Sequence, residues 1–265
     1  MSTDNIFEAD DLAIHFGGIK AVDGLTFAVE RGSIFTIIGP NGAGKTTIFN
    51  AISRLYAMTR GRLSFDGQDI TTLPAEQIAS LGIARTFQNI ELFENASVLQ
   101  NLLIGRATHA GSRFWQDMLF LPGVKQAERE HRHKVEEVID FLDLQPYRDS
   151  LINGLPYGVR KVVEIARALC TEPKLLLLDE PASGLSVEET QDLVYWIKDI
   201  RKLLGITVIM VEHDMSLVNQ VSDHVLAINQ GRFLASGTVQ AVQSDPAVIE
   251  AYLGADANRR AAGGA

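Results

Sequence analysis

The segment SIFTIIGPNGAGKTTIFNAIS limits what this chain can fold into more than any other stretch. It reads as an apolar strand, a Gly-rich loop and a helix, in that order, and Gly39 to Thr46 fits the spacing G-x-x-x-x-G-K-S/T. Glycines there let consecutive backbone N–H groups curl around a triphosphate, and the helix that follows points its positive end at the anion. Asn41, Gly42, Ala43, Gly44, Lys45, Thr46 and Thr47 are therefore the candidate nucleotide-binding residues. Lys45 is placed to reach the β- and γ-phosphates of ATP, and the Thr46 hydroxyl to ligate Mg²⁺.

A loop of this kind needs a second metal partner, and LLLLD at Leu175 to Asp179 supplies it. Four consecutive aliphatics predict a buried central strand whose C-terminal end presents Asp179 to the metal. Glu180 follows directly, where it can orient and deprotonate an attacking water. An Asp-Glu pair after a strand is by itself an ordinary solvated turn; the phosphate loop makes the catalytic reading the better one.

The rest of the chain alternates in character. Leu12, Ile14 and Phe16, then Leu25, Phe27 and Val29, repeat with a period of two, and GRLSFDGQDI continues the pattern around an Asp66-Gly67 hairpin turn. An antiparallel β-layer beside the nucleotide site is expected. From about Glu76 to Leu155 the pattern turns helical, with Val135, Val138, Ile139 and Leu142 forming one stripe. From Lys174 onward apolar strands alternate with helices, which predicts a largely parallel sheet covered on both faces.

Composition excludes some classes. With 46% hydrophobic and 22% charged residues the chain is neither fibrous nor broadly disordered. The net charge of −9 gives no electrostatic reason to expect a nucleic-acid partner. Cys170, the sole cysteine, precludes an intrachain disulfide and reads as a small buried residue. No apolar run reaches the length of a membrane span, and the acidic start MSTDNIFEADD lacks the features of a secretion signal. His131 and His133 lie two apart on a helix without cysteines or a carboxylate cluster, so a solvated face is expected there rather than a metal site.

The phosphate loop, Gln88, LPYG…EIARAL, LLLLDEP and His213 stand in the order found in ATP-binding cassette (ABC) ATPases, and the chain resembles that family from about Ile6 to Gly254. FGGIKAVDGL, GIARTFQNIELFENASVLQNLLIG and DPAVIEAYLG make it similar to the Liv-type ATPases of branched-chain amino acid importers. The resemblance implies an α/β fold: a P-loop NTPase cassette with a mainly parallel RecA-like core, an antiparallel β subdomain and an inserted helical subdomain. It implies one cassette over 6–254 and a helical subdomain over about 89–165; the small, polar residues after Gly254 predict a flexible tail over 255–265.

Site roles follow from the same resemblance. Phe16 matches the aromatic that stacks on adenine. Gln88 matches a catalytic glutamine that touches Mg²⁺ and water, and His213 the switch histidine on the γ-phosphate. Leu155, Pro156, Tyr157 and Gly158 match the signature that caps ATP on an opposite subunit; Pro156 replaces its serine, Tyr157 its first glycine, and Val159 its glutamine. Ser183, Gly184, Leu185 and Ser186 match the loop that crosses the dimer interface, with Ser186 where the family has Asp or Asn.

The implied assembly is a homo- or heterodimer of cassettes pressed against two transmembrane permease subunits. An extracytoplasmic solute-binding protein delivers the cargo, and the chain lies in the cytoplasm, peripheral on the inner face of the membrane. Amides or urea fit as cargo almost as well as amino acids. A soluble ABC ATPase of DNA repair or translation is disfavoured, since the chain has neither a long coiled-coil insertion nor a second cassette. A non-hydrolysing nucleotide-gated module, motivated by Pro156 and Ser186, conflicts with the presence of both Asp179 and Glu180.

Overall fold

Period-two apolar residues near the start of the chain form two long strands, β1 (Asn5–Phe16) and β2 (Ile19–Glu30), in a computed structural model that describes residues 4–86, 90–106 and 122–253. With β4 (Arg60–Phe65) and β5 (Gln68–Asp69) they make an antiparallel sheet in the order β2-β1-β4-β5. The β4–β5 turn is the Asp66-Gly67 pair, with φ of 51° and 77°. Positive φ at both central residues matches the twist of a two-residue hairpin, and Asp-Gly accepts it at low cost.

The second sheet has the order β10-β9-β3-β8-β7-β6. Its strands are β3 (Ile34–Ile38), β6 (Ile83–Arg85), β7 (Leu175–Asp179), β8 (Thr207–Val211), β9 (His224–Asn229) and β10 (Arg232–Gly237). All neighbours pair in parallel except β10, which returns antiparallel on β9. Both faces are buried, and alternate residues go to different cores. Ile34, Leu176, Leu178, Val208 and Met210 face a core shared with α3 (Val98–Gly105), α4 (Pro122–Phe141), α5 (Tyr157–Leu169) and α6 (Val187–Leu204). Phe35, Ile37, Leu175, Leu177, Ile209 and Val211 face α1 (Lys45–Ile52), α2 (Ala75–Leu81) and the antiparallel sheet. A third cluster joins β9 and β10 to α7 (Met215–Val221), α8 (Val239–Gln243) and a last helix over 246–253.

The stretch from Glu76 to Leu155 is not helical throughout. It contains β6, which pairs Ile83 with Leu175 and Arg85 with Leu177, and two 3₁₀ turns at Gln145–Tyr147 and Ile152–Gly154. A three-residue strand is too short to show a period, and its partner β7 lies far along the chain, so only tertiary pairing reveals it. The stripe on α4 is as the periodicity predicts: Val135, Ile139 and Leu142 are buried, with Val138 packed against them.

Strand order decides where the loops meet. β8 lies between β3 and β7, with Val211 opposite both Ile37 and Asp179. The loops leaving the C-terminal ends of these three parallel strands therefore share one edge of the sheet, the edge where open α/β sheets bind ligands. No helix among the described residues is long and apolar enough to cross a membrane.

Candidate active site

The loop from β3 to α1 is built around close backbone approaches. Gly44 has φ of 103°, and a Cβ there would stand 2.5 Å from the Ala21 carbonyl oxygen, so only glycine fits. The Ala43 N–H donates to the Pro40 oxygen at 3.1 Å, and the Ala43 oxygen accepts from Gly231 at 2.9 Å. Lys45 opens α1 and is buried; its Nζ donates to the Gly39 and Pro40 carbonyls at 2.8 and 3.2 Å. Burial pushes its pKa down, while Glu180, Asp179 and Glu212 pull it up. Asn41, Gly42 and Thr46 are exposed, so the mouth of the loop faces solvent.

Asp179 ends β7 and is 1% exposed. Arg85 donates to its Oδ2 at 2.8 Å and reaches Asn50 on α1 at 2.7 Å, with its guanidinium over the Phe49 ring at 5.5 Å. Oδ1 is buried and has no hydrogen-bond partner among the described residues. Burial raises the Asp179 pKa, opposed by Arg85. A buried carboxylate oxygen left without a donor is costly unless a cation meets it. All-oxygen donors such as Asp179 and the Thr46 hydroxyl suit Mg²⁺.

Glu180 adopts φ of 49°, a conformation a bulky residue holds only when its surroundings impose it. Its N–H donates to the Val211 carbonyl at 2.9 Å, and its Oε2 lies 3.9 Å from His213 Nδ1. The Glu180 side chain is mostly shielded, whereas that of His213 is half exposed. The structure thus brings Lys45, Asp179, Glu180 and His213 to one edge. Gln88 lies outside the described residues.

Phe16, at the end of β1, is half exposed and meets Tyr56 edge-to-face with centroids 5.2 Å apart. Pro156 caps α5, whose first residue is Tyr157. The Tyr157 ring lies against Gly184, where a Cβ would stand 2.8 Å from Cε1, and Arg160 and Lys161 flank the ring at 5.9 and 6.0 Å. Leu155 and Ala182 are buried in the same core; the Ala182 N–H donates to Glu212 Oε1 at 2.8 Å, and Ser183 and Leu185 N–H groups donate to the Glu180 and Ala182 carbonyls in the turn that leads to α6. Ser186 caps α6 in a two-way capping box with Glu189, at 3.3 and 2.7 Å. The same Glu189 carboxylate packs on Gly158. The departures at Tyr157 and Ser186 thus have local partners: one covers Gly184, the other starts a helix.

Comparisons with known proteins agree with this geometry. The family model described as ABC transporter matches residues 22–183, and the model described as branched-chain amino acid ATP-binding cassette transporter matches residues 234–258. The chain is 40% identical to the high-affinity branched-chain amino acid transport ATP-binding protein BraF of Pseudomonas aeruginosa, over 94% of this chain and 98% of that protein. The chain belongs to the ABC transporter ATP-binding proteins. It is 36% identical to LivG of Escherichia coli K12, a protein of the same description, again over 94% and 98% of the two chains. Among solved structures it is similar to the ADP conformation of the ATP-binding cassette MJ1267, with a TM-score of 0.83, 33% identity, and 94% and 99% coverage.

As an ABC ATPase the chain binds and hydrolyses ATP, and three features of its site escape motif reading. Arg85 holds Asp179 from a strand whose pattern is invisible. Tyr56 braces Phe16 from a loop beyond α1. Glu212, 0% exposed, accepts backbone N–H groups on both sides of the site. The one signal in sequence was a carboxylate set directly after the apolar run ITVIMV. Cys170 is buried as expected, and burial pushes its thiol up to about 12. His131 accepts from Arg106 at 3.3 Å, and no group of metal-ligating residues occurs among the described residues.

Proposed function

We propose that this ATPase powers import of branched-chain or related amino acids through a pair of membrane-spanning permeases. The observation that carries the reading is full-length similarity to transport ATPases of that cargo, down to a C-terminal segment matched by their own family model. Tyr157, the first residue of α5, is half exposed, which suits closure against a second cassette, like or unlike. ATP then lies between the phosphate loop of one copy and the segment Leu155 to Gly158 of the other. Phe16 stacks on the adenine, Lys45 and the loop amides neutralise the phosphates, and Ser183 to Ser186 cross the interface.

Asp179, Thr46 and Gln88 would hold Mg²⁺, which would supply positive charge to neutralise the phosphates. Glu180 orients the attacking water and takes its proton. His213, beside Glu180, donates toward the γ-phosphate. The chain works at the inner face of the membrane. A cavity of about 330 Å³ between α2, β6, α3 and α5, lined by Ile78, Ala79, Ile104 and Arg167, suits the cytoplasmic segment of a permease. It adjoins Arg85, so a docked permease lies one side chain from Asp179.

Uptake of labelled leucine tests the reading in cells lacking this chain, complemented with wild type or Glu180→Gln, with unlabelled amino acids, amides and urea as competitors. Rescue by wild type alone is expected, with isoleucine and valine competing best. Uptake indifferent to the chain sinks leucine import while leaving the ATPase intact, and competition by urea or amides reassigns the cargo.

A further inference from the structure

Glu212 is a buried carboxylate that the catalytic reading does not use. It follows β8 directly, and its two oxygens accept three backbone N–H groups. Oε1 takes Ala182 at 2.8 Å; Oε2 takes His213 at 2.9 Å and Asp214 at 3.1 Å. Ala182 is two residues past Glu180, in the turn where Ser183 N–H donates to the Glu180 carbonyl at 3.1 Å and Leu185 N–H to the Ala182 carbonyl at 3.1 Å. The Glu180 N–H is itself bonded to Val211 at 2.9 Å. Residues 180–182 are therefore tied to residues 211–212 at both ends, once through backbone and once through the Glu212 side chain.

From this geometry we propose that Glu212 is a positioning residue for ATP hydrolysis: its carboxylate fixes the turn carrying Glu180 and the backbone of His213 in one frame. Two side chains on separate loops, 3.9 Å apart, keep their relation only if the loops move together. A carboxylate is the group the site requires. Three donors converge on it, and an amide in its place would offer one acceptor and turn N–H donors against N–H donors. Burial raises the Glu212 pKa, and the three backbone donors and His213 counter only part of that rise. The bond to Ala182 also reaches the segment Ser183 to Ser186, so the same carboxylate connects the loop proposed to cross the dimer interface with the one carrying His213.

The proposal rests on the roles given above to Glu180 and His213. Its test uses the full-length protein and measures kcat and KM for MgATP, nucleotide affinity and thermal midpoint for Glu212→Gln, His213→Ala, their double variant and Glu180→Gln. Displacing a reacting group by about 1 Å costs on the order of 100-fold, so Glu212→Gln is expected to lower kcat by about 10- to 100-fold. Nucleotide affinity stays within about twofold, because none of the Glu212 hydrogen bonds goes to the phosphate loop or to Phe16. Adding Glu212→Gln to His213→Ala costs little more, since both disturb one geometry. Turnover within about twofold of wild type overturns the proposal, as do parallel losses of kcat and nucleotide affinity or fully additive losses. If Glu212→Gln does not fold, Glu212→Asp, which keeps the charge but shortens the reach to Ala182, is judged by the same measurements. If Glu180→Gln and His213→Ala keep turnover, the catalytic pair itself is wrong; if they lose it and Glu212→Gln does not, only the positioning role fails.

Discussion

At the scale of single residues, the site runs on buried charge that is paired or awaiting a partner. Arg85 and Asp179 are 7% and 1% exposed, so their attraction is little screened and their desolvation is expensive. Removing one partner leaves the other charged and buried. Arg85→Met is therefore expected to lower unfolding free energy by about 3–5 kcal/mol, read from urea unfolding. A loss below about 1 kcal/mol would mean the pair behaves like an exposed one. The motif reading found Asp179 because its chemistry is local to LLLLD. It missed Arg85 because nothing in GIAR announces a contact with a strand so distant in sequence.

Among elements, the junction between the two sheets depends on Asp23, on β2. It accepts from Arg232 on β10 at 2.9 Å and from Lys20 at 3.3 Å, and lies 3.4 Å from His15. The Arg232 guanidinium, with Lys20, holds its carboxyl down from the ordinary 3.8 to about 2. A depressed carboxylate stabilises the fold above its unfolded value and loses that contribution as pH falls from 3.8 toward 2. Denaturation midpoints measured across that interval are expected to fall more steeply for wild type than for Asp23→Asn; parallel slopes would discard the clamp. Turn and cap chemistry at this scale was legible where it is short-range. Asp66-Gly67 made its hairpin, and Ser186 with Glu189 three residues on fits the spacing of the capping box that starts α6.

For the whole molecule, the consequential feature is that the cavity bounded by α2, α3 and α5 abuts the residues holding Asp179. Filling it without touching the nucleotide loops separates transport from hydrolysis. Ala79→Arg is expected to abolish leucine uptake in complemented cells while the purified chain keeps its ATPase rate. Uptake at the wild-type level would place the permease elsewhere, and loss of both activities would point to misfolding, checked by the thermal midpoint.

Sequence alone determined the family, the parallel strands, and the strand ends at which the Gly-rich loop and the Asp179-Glu180 pair fall. Each rests on short-range facts: glycine spacing, runs of aliphatics, a charge at a strand end. Tertiary structure decided what depends on strand order. It set β8 between β3 and β7, so that Val211 lies opposite both Ile37 and Asp179 and the loops that follow converge. It also decided the partners of Arg85, Tyr157 and Glu212. Their contacts join segments far apart in the chain, and a local pattern carries no information about which distant backbone a buried side chain will meet.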